Sequence, residues 1–176
     1  MVQYARPNGS NDPDGVWLIQ GGAASFHAAT SDLNNSTSIY QTTFDFSPHT
    51  IQLDLDNSIS SPSDKTNHKV AVSGFYNGFS SDNFTLALYE NNTSIASQGL
   101  TMDTTSAAEQ SFTLTEAQAS GISNYNDLNI RITYTYGGNV RVDFTEAWLE
   151  VPDAGGGGGG GDVEDPTNPE AFLMFL

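Results

Sequence analysis

The sequence contains no cysteine and very few basic residues. Without a thiol, the chain can form neither a disulfide framework nor a thiolate metal site. Lys and Arg together number 5 against 21 Asp and Glu, which gives a formal net charge of −16. Nucleic-acid binding depends on cationic side chains that displace counterions, and an anionic membrane surface repels a chain of this charge. We therefore expect a protein that binds neither nucleic acid nor membranes.

The 176-residue sequence also lacks a long apolar run. A membrane-spanning helix requires roughly 20 consecutive apolar residues. A secretory signal peptide requires an apolar core, which residues 1–7 do not contain. Roughly 150 residues precede a glycine-rich tail, which is enough for one well-buried domain of ordinary size. Length and hydropathy therefore predict one domain without a leader or a membrane anchor.

Apolar and polar residues alternate through the body of the chain, which is typical of half-buried β-strands. One predicted strand covers residues 51–56, with an isoleucine and two leucines on its apolar face. The clearest alternation covers residues 128–136, where every second residue is apolar. A further alternation over residues 40–46 predicts a strand with Tyr40 on its buried face.

Turn and capping signals lie between these strands. Residues 137–139, Gly-Gly-Asn, have the composition of a hairpin turn and predict that the following strand pairs back on the preceding one. The returning strand changes phase near Thr145, which predicts a β-bulge. The one helical signal is a capping box at residues 115–118, which Gly121 follows. About eight strands and one short helix predict an all-β fold, an antiparallel β-sandwich of jelly-roll type.

The sequence predicts a flexible C-terminal tail after the sandwich. We divide the chain into a β-sandwich domain at residues 1–154, a glycine-rich and acidic linker at residues 155–171, and an apolar peptide at residues 172–176. Glycine loses the most backbone entropy on ordering and has no side chain to pack, so the glycine run is expected to act as a tether. The tether consists of Gly155, Gly156, Gly157, Gly158, Gly159, Gly160 and Gly161.

The last five residues are apolar and lie beyond that tether. They are Phe172, Leu173, Met174, Phe175 and Leu176. Exposed to water they favour aggregation, whereas burying each large side chain in a partner groove contributes about 1.5–3 kcal/mol. The economical interpretation is a docking peptide that binds a groove on another molecule. The alternative is a frayed terminus that packs loosely on its own domain.

The sequence contains no recognisable catalytic motif, and we expect a protein that is not an enzyme. His27, His49 and His68 belong to no nucleophile or metal-binding motif and are expected at the surface or in loops. Glu146 and Glu150 in the last predicted strand form a carboxylate pair of the kind that glycosidases use. Such pairs arise by chance in so acidic a chain.

Two other carboxylate patterns stand out in the sequence. Asp54 and Asp56 lie close together along one predicted strand. Asp12 and Asp14 alternate before a glycine, which makes them a weak candidate for calcium because this ion prefers several oxygen ligands. The same dipeptides are common in turns, and the downstream bidentate Glu of an EF-hand is missing. The turn interpretation is favoured, and no cofactor is expected.

Four short segments of residues 1–154 share a further pattern. They are Tyr4-Ala5-Arg6-Pro7-Asn8, Trp17 with Gly21-Gly22, Asp127-Leu128 with Arg131, and the closing strand Ala147-Trp148-Leu149-Glu150-Val151-Pro152-Asp153-Ala154. Together they resemble small β-sandwich proteins encoded in the structural gene regions of tailed bacteriophages. The resemblance implies a non-enzymatic virion component and brings no catalytic residues with it.

Three functional hypotheses follow. The first is a capsid decoration (cement) protein of a tailed phage at the particle surface, a homo-oligomer docked through residues 172–176 onto the major capsid protein or neighbouring copies. The second is a carbohydrate-binding or host-adhesion module on a phage tail or fibre, for which Tyr4, Trp17, Phe79 and Tyr125 are the aromatic residues of uncertain placement. The third is an extracellular filament subunit whose tail adds a strand to the neighbouring copy.

Overall fold

The computed structural model describes residues 2–31, 37–42, 46–78, 81–136 and 140–153. The strands in these ranges are β1 Val2–Ala5, β2 Pro7–Asn11, β3 Trp17–Gln20, β4 Ser38–Gln41, β5 His49–Leu55, β6 Lys69–Gly78, β7 Asp82–Glu90, β8 Thr93–Met102, β9 Ala108–Thr113, β10 Leu128–Tyr134 and β11 Val140–Pro152. The helices are α1 Phe26–Thr30, α2 Glu116–Ser120 and a 3-10 helix at Tyr125–Asp127.

The strands form two antiparallel sheets. The six-stranded sheet has the order β3-β4-β11-β6-β9, and β1 also pairs with β11. The five-stranded sheet has the order β2-β5-β10-β7-β8. The fold is therefore an all-β antiparallel sandwich of jelly-roll type, which confirms the fold class predicted from the sequence.

The inner faces of the two sheets form the hydrophobic core. Ile51 and Leu53 of β5 and Ile132 of β10 are fully buried, as their alternation predicts. Phe84 of the five-stranded sheet meets Phe144 of the six-stranded sheet edge to face, with ring centroids 5.0 Å apart. Each buried side chain of this size contributes about 1.5–3 kcal/mol. Because a one-residue slip would turn these side chains outward, burial fixes the register of the strands.

Two local predictions are confirmed. Helix α2 begins after Thr115, whose hydroxyl accepts the backbone N–H of Gln118, while Oε1 of Gln118 accepts the backbone N–H of Thr115 at 2.9 Å. The helix ends at Gly121, and the chain passes from β9 in one sheet to β10 in the other. The pairing of β11 with β6 shifts register between Phe144 and Glu146, where the sequence predicts a bulge.

The predicted hairpin between β10 and β11 is wrong. β10 pairs with β5 and β7 in the five-stranded sheet, whereas β11 pairs with β6, β4 and β1 in the six-stranded sheet. The predicted turn, residues 137–139, lies outside the described residues. A turn signal reports only local backbone preference, and the connection here joins two different sheets.

The predicted phase of the strand near Tyr40 is also wrong. In β4, Ile39 and Gln41 are fully buried, and Tyr40 is only partly buried. Ile39 faces the core opposite Phe144, and Tyr40 instead lies under the guanidinium of Arg141, 4.1 Å from the ring centroid. An aromatic ring on an outer face can pack against a cation, so apolar character alone gives the wrong face.

Helix α1 is a second short helix that the sequence does not predict. Its N-cap is Ser25, whose hydroxyl accepts the backbone N–H of Ala28 at 3.3 Å. The third helical position is an alanine, so the reciprocal half of a capping box is missing from the sequence pattern. Of the helices in the described part of the chain, none is long and apolar enough to cross a membrane.

Candidate functional site

The outer face of the five-stranded sheet carries a regular array of polar side chains. Successive residues of a strand point to opposite faces. In β5, the alternation that buries Ile51 and Leu53 therefore leaves Thr50, Gln52 and Asp54 on the outer face, each partly buried. β10 and β7 alternate in the same way.

The strand register arranges these side chains in rows across the sheet. The central row, from β2 through β8, is Asn11, Gln52, Arg131, Ala87 and Ser97. The row on one side is Thr50, Thr133, Thr85 and Gly99. The row on the other side contains Asp54, Asn129 and Tyr89. Residues that are far apart in the sequence therefore form one continuous surface.

The central row lines a cleft of about 440 Å³ that crosses all five strands, together with Thr50, Thr85, Thr133 and Tyr89 of the flanking rows. Pro13, after β2, and Asn92, in the turn between β7 and β8, also line it. A second cleft of about 300 Å³ shares Gln52 and Asn92 with the first and extends it to Asp54 and Asp127. Neighbouring strands of a sheet lie about 4.8 Å apart, so a cleft that crosses from the first to the fifth strand is about 19 Å long. Its volume lies in the range of small-ligand sites.

Arg131 occupies the centre of the cleft and is held on several sides. Its Nε donates to Oδ1 of Asn129 at 3.1 Å. Its Nη2 donates to Oδ1 of Asn92 at 2.9 Å and to the carbonyl oxygen of Asn91 at 3.1 Å. The guanidinium also lies 4.0 Å from the ring centroid of Tyr89. These contacts fix the guanidinium plane, which prepares it for a ligand without further loss of side-chain entropy.

The neighbouring polar groups are also ordered by their contacts. Nε2 of Gln52 donates to Oδ1 of Asp54 at 2.6 Å, and the hydroxyls of Thr50 and Thr133 lie 2.7 Å apart. Gly9 of β2 lies so close to Asp54 that an added Cβ would be 3.1 Å from its Oδ2. The cleft thus combines hydrogen-bond donors and acceptors in fixed positions.

The site residues predicted from the C-terminal tail lie outside the described residues. These are the tether Gly155–Gly161 and the docking peptide Phe172–Leu176. The structure therefore leaves the docking hypothesis untested, and it places the candidate site on the sandwich itself.

The weak calcium candidate forms a turn. The two carboxylate oxygens of Asp12 accept the backbone N–H groups of Gly15 at 3.1 Å and of Trp17 at 3.0 Å. The carboxylate of Asp14 lies 3.0 Å from Nδ1 of His49. Within the described ranges, no group of three or more His, Asp or Glu residues is placed to hold a metal ion. The geometry agrees with the turn interpretation.

His68 lies in the loop that leads into β6, which agrees with the expectation of a loop histidine, and its side chain is fully buried. Its Nδ1 lies 3.1 Å from the carbonyl oxygen of Thr66, so Nδ1 carries the proton and Nε2 accepts the Tyr125 hydroxyl at 2.6 Å. Burial lowers the pKa of His68 and raises the pKa of Tyr125 to about 12. The hydrogen bond between His68 and Tyr125 connects the loop before β6 to the 3-10 helix.

Three of the four carboxylates in the pairs Asp54/Asp56 and Glu146/Glu150 make contacts outside the cleft. Glu146 pairs with Arg6 at 3.1 Å and Glu150 pairs with Lys69 at 2.9 Å, both in the six-stranded sheet. Asp56 follows the end of β5 and accepts from Ser58, whereas Asp54 lies in the cleft. Asp54 is therefore the one member of these pairs that belongs to the candidate site.

Of the four aromatic residues of uncertain placement, the three that the structure describes do not line the cleft. Trp17 and Tyr125 are buried, Tyr4 is 52% exposed on β1, and Phe79 lies outside the described residues. The aromatic residue of the cleft is Tyr89, which sequence reasoning missed. The sequence indicates it only faintly. Tyr89 is out of phase with the buried residues Phe84, Leu86 and Leu88, so it belongs to the outer face of the strand.

Comparison with known proteins defines the fold class and no family. No protein-family model matches the chain, and no curated protein matches it. Among solved structures, a cyclase from Fischerella sp. TAU in complex with 4-(1H-indol-3-yl)butan-2-one is 16% identical, with a TM-score of 0.54 over 85% of this chain and 90% of that chain. This likeness concerns the β-sandwich fold.

Carbohydrate-binding modules are also among the similar structures. TmCBM61 in complex with β-1,4-galactotriose is 5% identical, with a TM-score of 0.45 over 82% of this chain and 87% of that chain. The CBM36-1 domain of a multidomain xylanase from the hindgut metagenome of Trinervitermes trinervoides is 10% identical, with a TM-score of 0.43 over 88% of this chain and 99% of that chain.

Proposed function

We propose that this protein is a carbohydrate-binding module that holds a glycan chain in the cleft of its five-stranded sheet without catalysing a reaction. One observation carries the proposal: the cleft crosses all five strands and is lined by hydroxyl, amide, carboxylate and guanidinium groups. A sugar hydroxyl both donates and accepts hydrogen bonds. A lining with interspersed donors and acceptors suits a chain of such hydroxyls.

The cleft also offers apolar surface to the carbon-bound faces of sugar rings. Tyr89, Ala87 and Pro13 lie among its polar residues. Ligand sites commonly combine apolar area with a few well-placed polar groups that fix orientation. The stacking of Arg131 on Tyr89 orders both side chains before a ligand arrives. The proposal depends on this geometry and not on the likeness to carbohydrate-binding modules.

A binding role without catalysis is supported by the contacts that the carboxylates make. A glycosidase requires two carboxyl groups on either side of the scissile bond. Glu146 and Glu150 form ion pairs in the other sheet, away from the cleft. Asp54 and Asp127 line the extension of the cleft, and the carboxylate of each accepts a side-chain amide N–H, which suits acceptors of sugar hydroxyls.

The test compares two tyrosines that each lie under an arginine. Tyr89 lies in the cleft, whereas Tyr40 lies in the six-stranded sheet, 4.1 Å from the guanidinium of Arg141. Affinity electrophoresis on a panel of polysaccharides, followed by calorimetry, measures binding. We expect Tyr89→Ala to weaken glycan binding about tenfold or more, while Tyr40→Ala leaves it unchanged. Absence of binding across the panel, or an equal loss in the two variants, would overturn the proposal.

The virion hypothesis stays a prediction from the sequence. The capsid decoration role, the virion partners, the homo-oligomer and the particle-surface location depend on the resemblance and on residues 155–176, which lie outside the described residues. A glycan-binding module on a phage tail or fibre is compatible with the cleft. Mass spectrometry of purified particles, with a chain shortened after Ala154 as the comparison, tests incorporation directly.

A further inference from the structure

Among the described residues, the contacts of Arg131 occupy every nitrogen of its guanidinium group except one. A guanidinium binds a carboxylate most strongly through two parallel N–H donors. In Arg131, Nε and Nη2 already donate to the oxygens of Asn129, Asn92 and Asn91. Nη1 is the one nitrogen of this group without a hydrogen-bond partner among the described residues. Arg131 can therefore offer a ligand oxygen donors from Nη1 only.

An anionic acceptor lies next to this donor. The register pairs Arg131 with Gln52, and the β5 alternation places Asp54 beside Gln52 on the same face. The amide of Gln52 holds Oδ1 of Asp54 at 2.6 Å. In the described part of the chain, Oδ2 of Asp54 has no hydrogen-bond partner, and no ion pair joins Asp54 to Arg131. The cleft thus keeps one cationic donor and one anionic acceptor separately available.

We infer that the cleft takes a neutral glycan rather than an acidic one, with Nη1 of Arg131 donating to one sugar hydroxyl and Oδ2 of Asp54 accepting from another. This inference rests on the proposed function. A hydroxyl fits both positions, because it accepts from the guanidinium or donates to the carboxylate. A uronate fits only the first position and loses the two-donor contact that favours carboxylates.

Charge around the cleft acts in the same direction. Asp127 lines the extension of the cleft together with Asp54, so an acidic polysaccharide running along both parts would meet two carboxylates. The whole chain has a formal net charge of −16. Like charges brought together across an interface weaken binding and slow association. A neutral glycan experiences neither effect.

The inference is tested on the full chain with two groups of polysaccharide. The neutral group is galactan, xylan, β-glucan and mannan, and the acidic group is polygalacturonate and alginate. We expect wild type to bind at least one neutral polysaccharide and neither acidic one. Its affinity for the neutral ligand should change less than about twofold as NaCl rises from about 0.1 to 1 M, where the Debye length falls from about 10 to 3 Å.

A pair of isosteric variants tests the role of Asp54. Asp103 is an exposed residue that follows β8 and lines neither cleft, so Asp103→Asn makes the same charge change away from the site. We expect Asp54→Asn to weaken neutral-glycan binding about tenfold and Asp103→Asn to leave it unchanged. Thermal melting of both variants checks that each is folded.

The outcomes separate the inference from the proposed function. If wild type binds polygalacturonate or alginate in preference to every neutral polysaccharide, and salt weakens that binding, the inference is wrong and the proposed function stands. Unchanged neutral binding in a folded Asp54→Asn variant also overturns the inference. If wild type binds no polysaccharide in either group, the proposed function fails and the inference fails with it.

Discussion

Gly9 controls the space available to Asp54 at the point where the register of β2 and β5 shifts. A Cβ added at Gly9 would lie 3.1 Å from Oδ2 and 3.2 Å from Cβ of Asp54, closer than ordinary contact. Because Gln52 holds the other carboxylate oxygen, the strain would displace the oxygen that is left for a ligand. The lack of a side chain at Gly9 in β2 therefore determines where the Asp54 carboxylate of β5 can lie.

We therefore expect Gly9→Ala to weaken glycan binding about tenfold or less while the protein stays folded, because the change displaces Asp54 Oδ2 by a few tenths of an ångström. Gly99→Ala is the control, since a Cβ at Gly99 meets nothing within 4 Å. Calorimetric titration with the bound polysaccharide measures affinity, and urea unfolding measures stability. Equal affinity of the two variants would contradict this role for Gly9.

His68 makes stability depend on pH. Its folded-state pKa lies below the unfolded value because burial disfavours the charged form. The stability it contributes is therefore present above about pH 6.5, the unfolded pKa, and is lost as pH falls through the lowered pKa. Within that window each pH unit costs up to about 1.4 kcal/mol.

We expect the stability advantage of wild type over His68→Gln to shrink as pH falls from 7.5 to 5.5, because the unfolded chain takes up the proton more readily than the folded one. Urea unfolding at several pH values measures both proteins in the same buffers, so the many surface carboxylates cancel in the difference. A constant difference across this range would show that His68 is not the titrating group.

At the scale of elements, the sequence predicts burial well and pairing poorly. The alternation in β5 and β10 identifies their inner faces correctly, because core packing requires one apolar side. The same pattern contains no information about the partner strand. β10 and β11 are adjacent in sequence and belong to different sheets, since the apolar face of each strand can be covered equally well by the opposite layer.

The candidate site could not be predicted for a related reason. Gln52 and Asp54 are recognisable as outer-face residues, and such residues are usually solvated. What makes them part of a cleft is their alignment with Asn11, Arg131 and Ser97 from three other strands. That alignment depends on the register of the whole sheet, which long-range packing determines. A local sequence pattern therefore identifies the polar residues and misses the site.

The capping box of α2 is an element that sequence and structure describe alike, and it gives a stability prediction. Thr115→Ala removes the hydroxyl that accepts the Gln118 backbone N–H, so we expect a loss of about 1 kcal/mol in the free energy of unfolding. Thr113→Ala, at an exposed position of β9, is the control with an expected effect below about 0.5 kcal/mol. Chemical denaturation measures both, and equal effects would argue against the cap.

At the scale of the whole molecule, the sandwich contains both the core and the cleft. The described core extends to Val151 in β11, and the cleft residues lie between Asn11 and Thr133. The residues after Ala154 add acidic but no basic side chains to a chain that is already strongly negative. Their removal therefore lowers self-repulsion and takes away no part of the described core or cleft.

We therefore expect a chain that ends after Ala154 to keep its melting temperature within a few degrees and its glycan affinity within about twofold. The reason is that the described core and the cleft are complete without any residue beyond Val151. Differential scanning calorimetry and affinity electrophoresis on the full and shortened chains measure both properties. A shortened chain that folds but no longer binds glycan would show that the tail contributes to the cleft. A shortened chain that binds glycan normally but is absent from purified particles would assign docking to the tail and recognition to the sandwich.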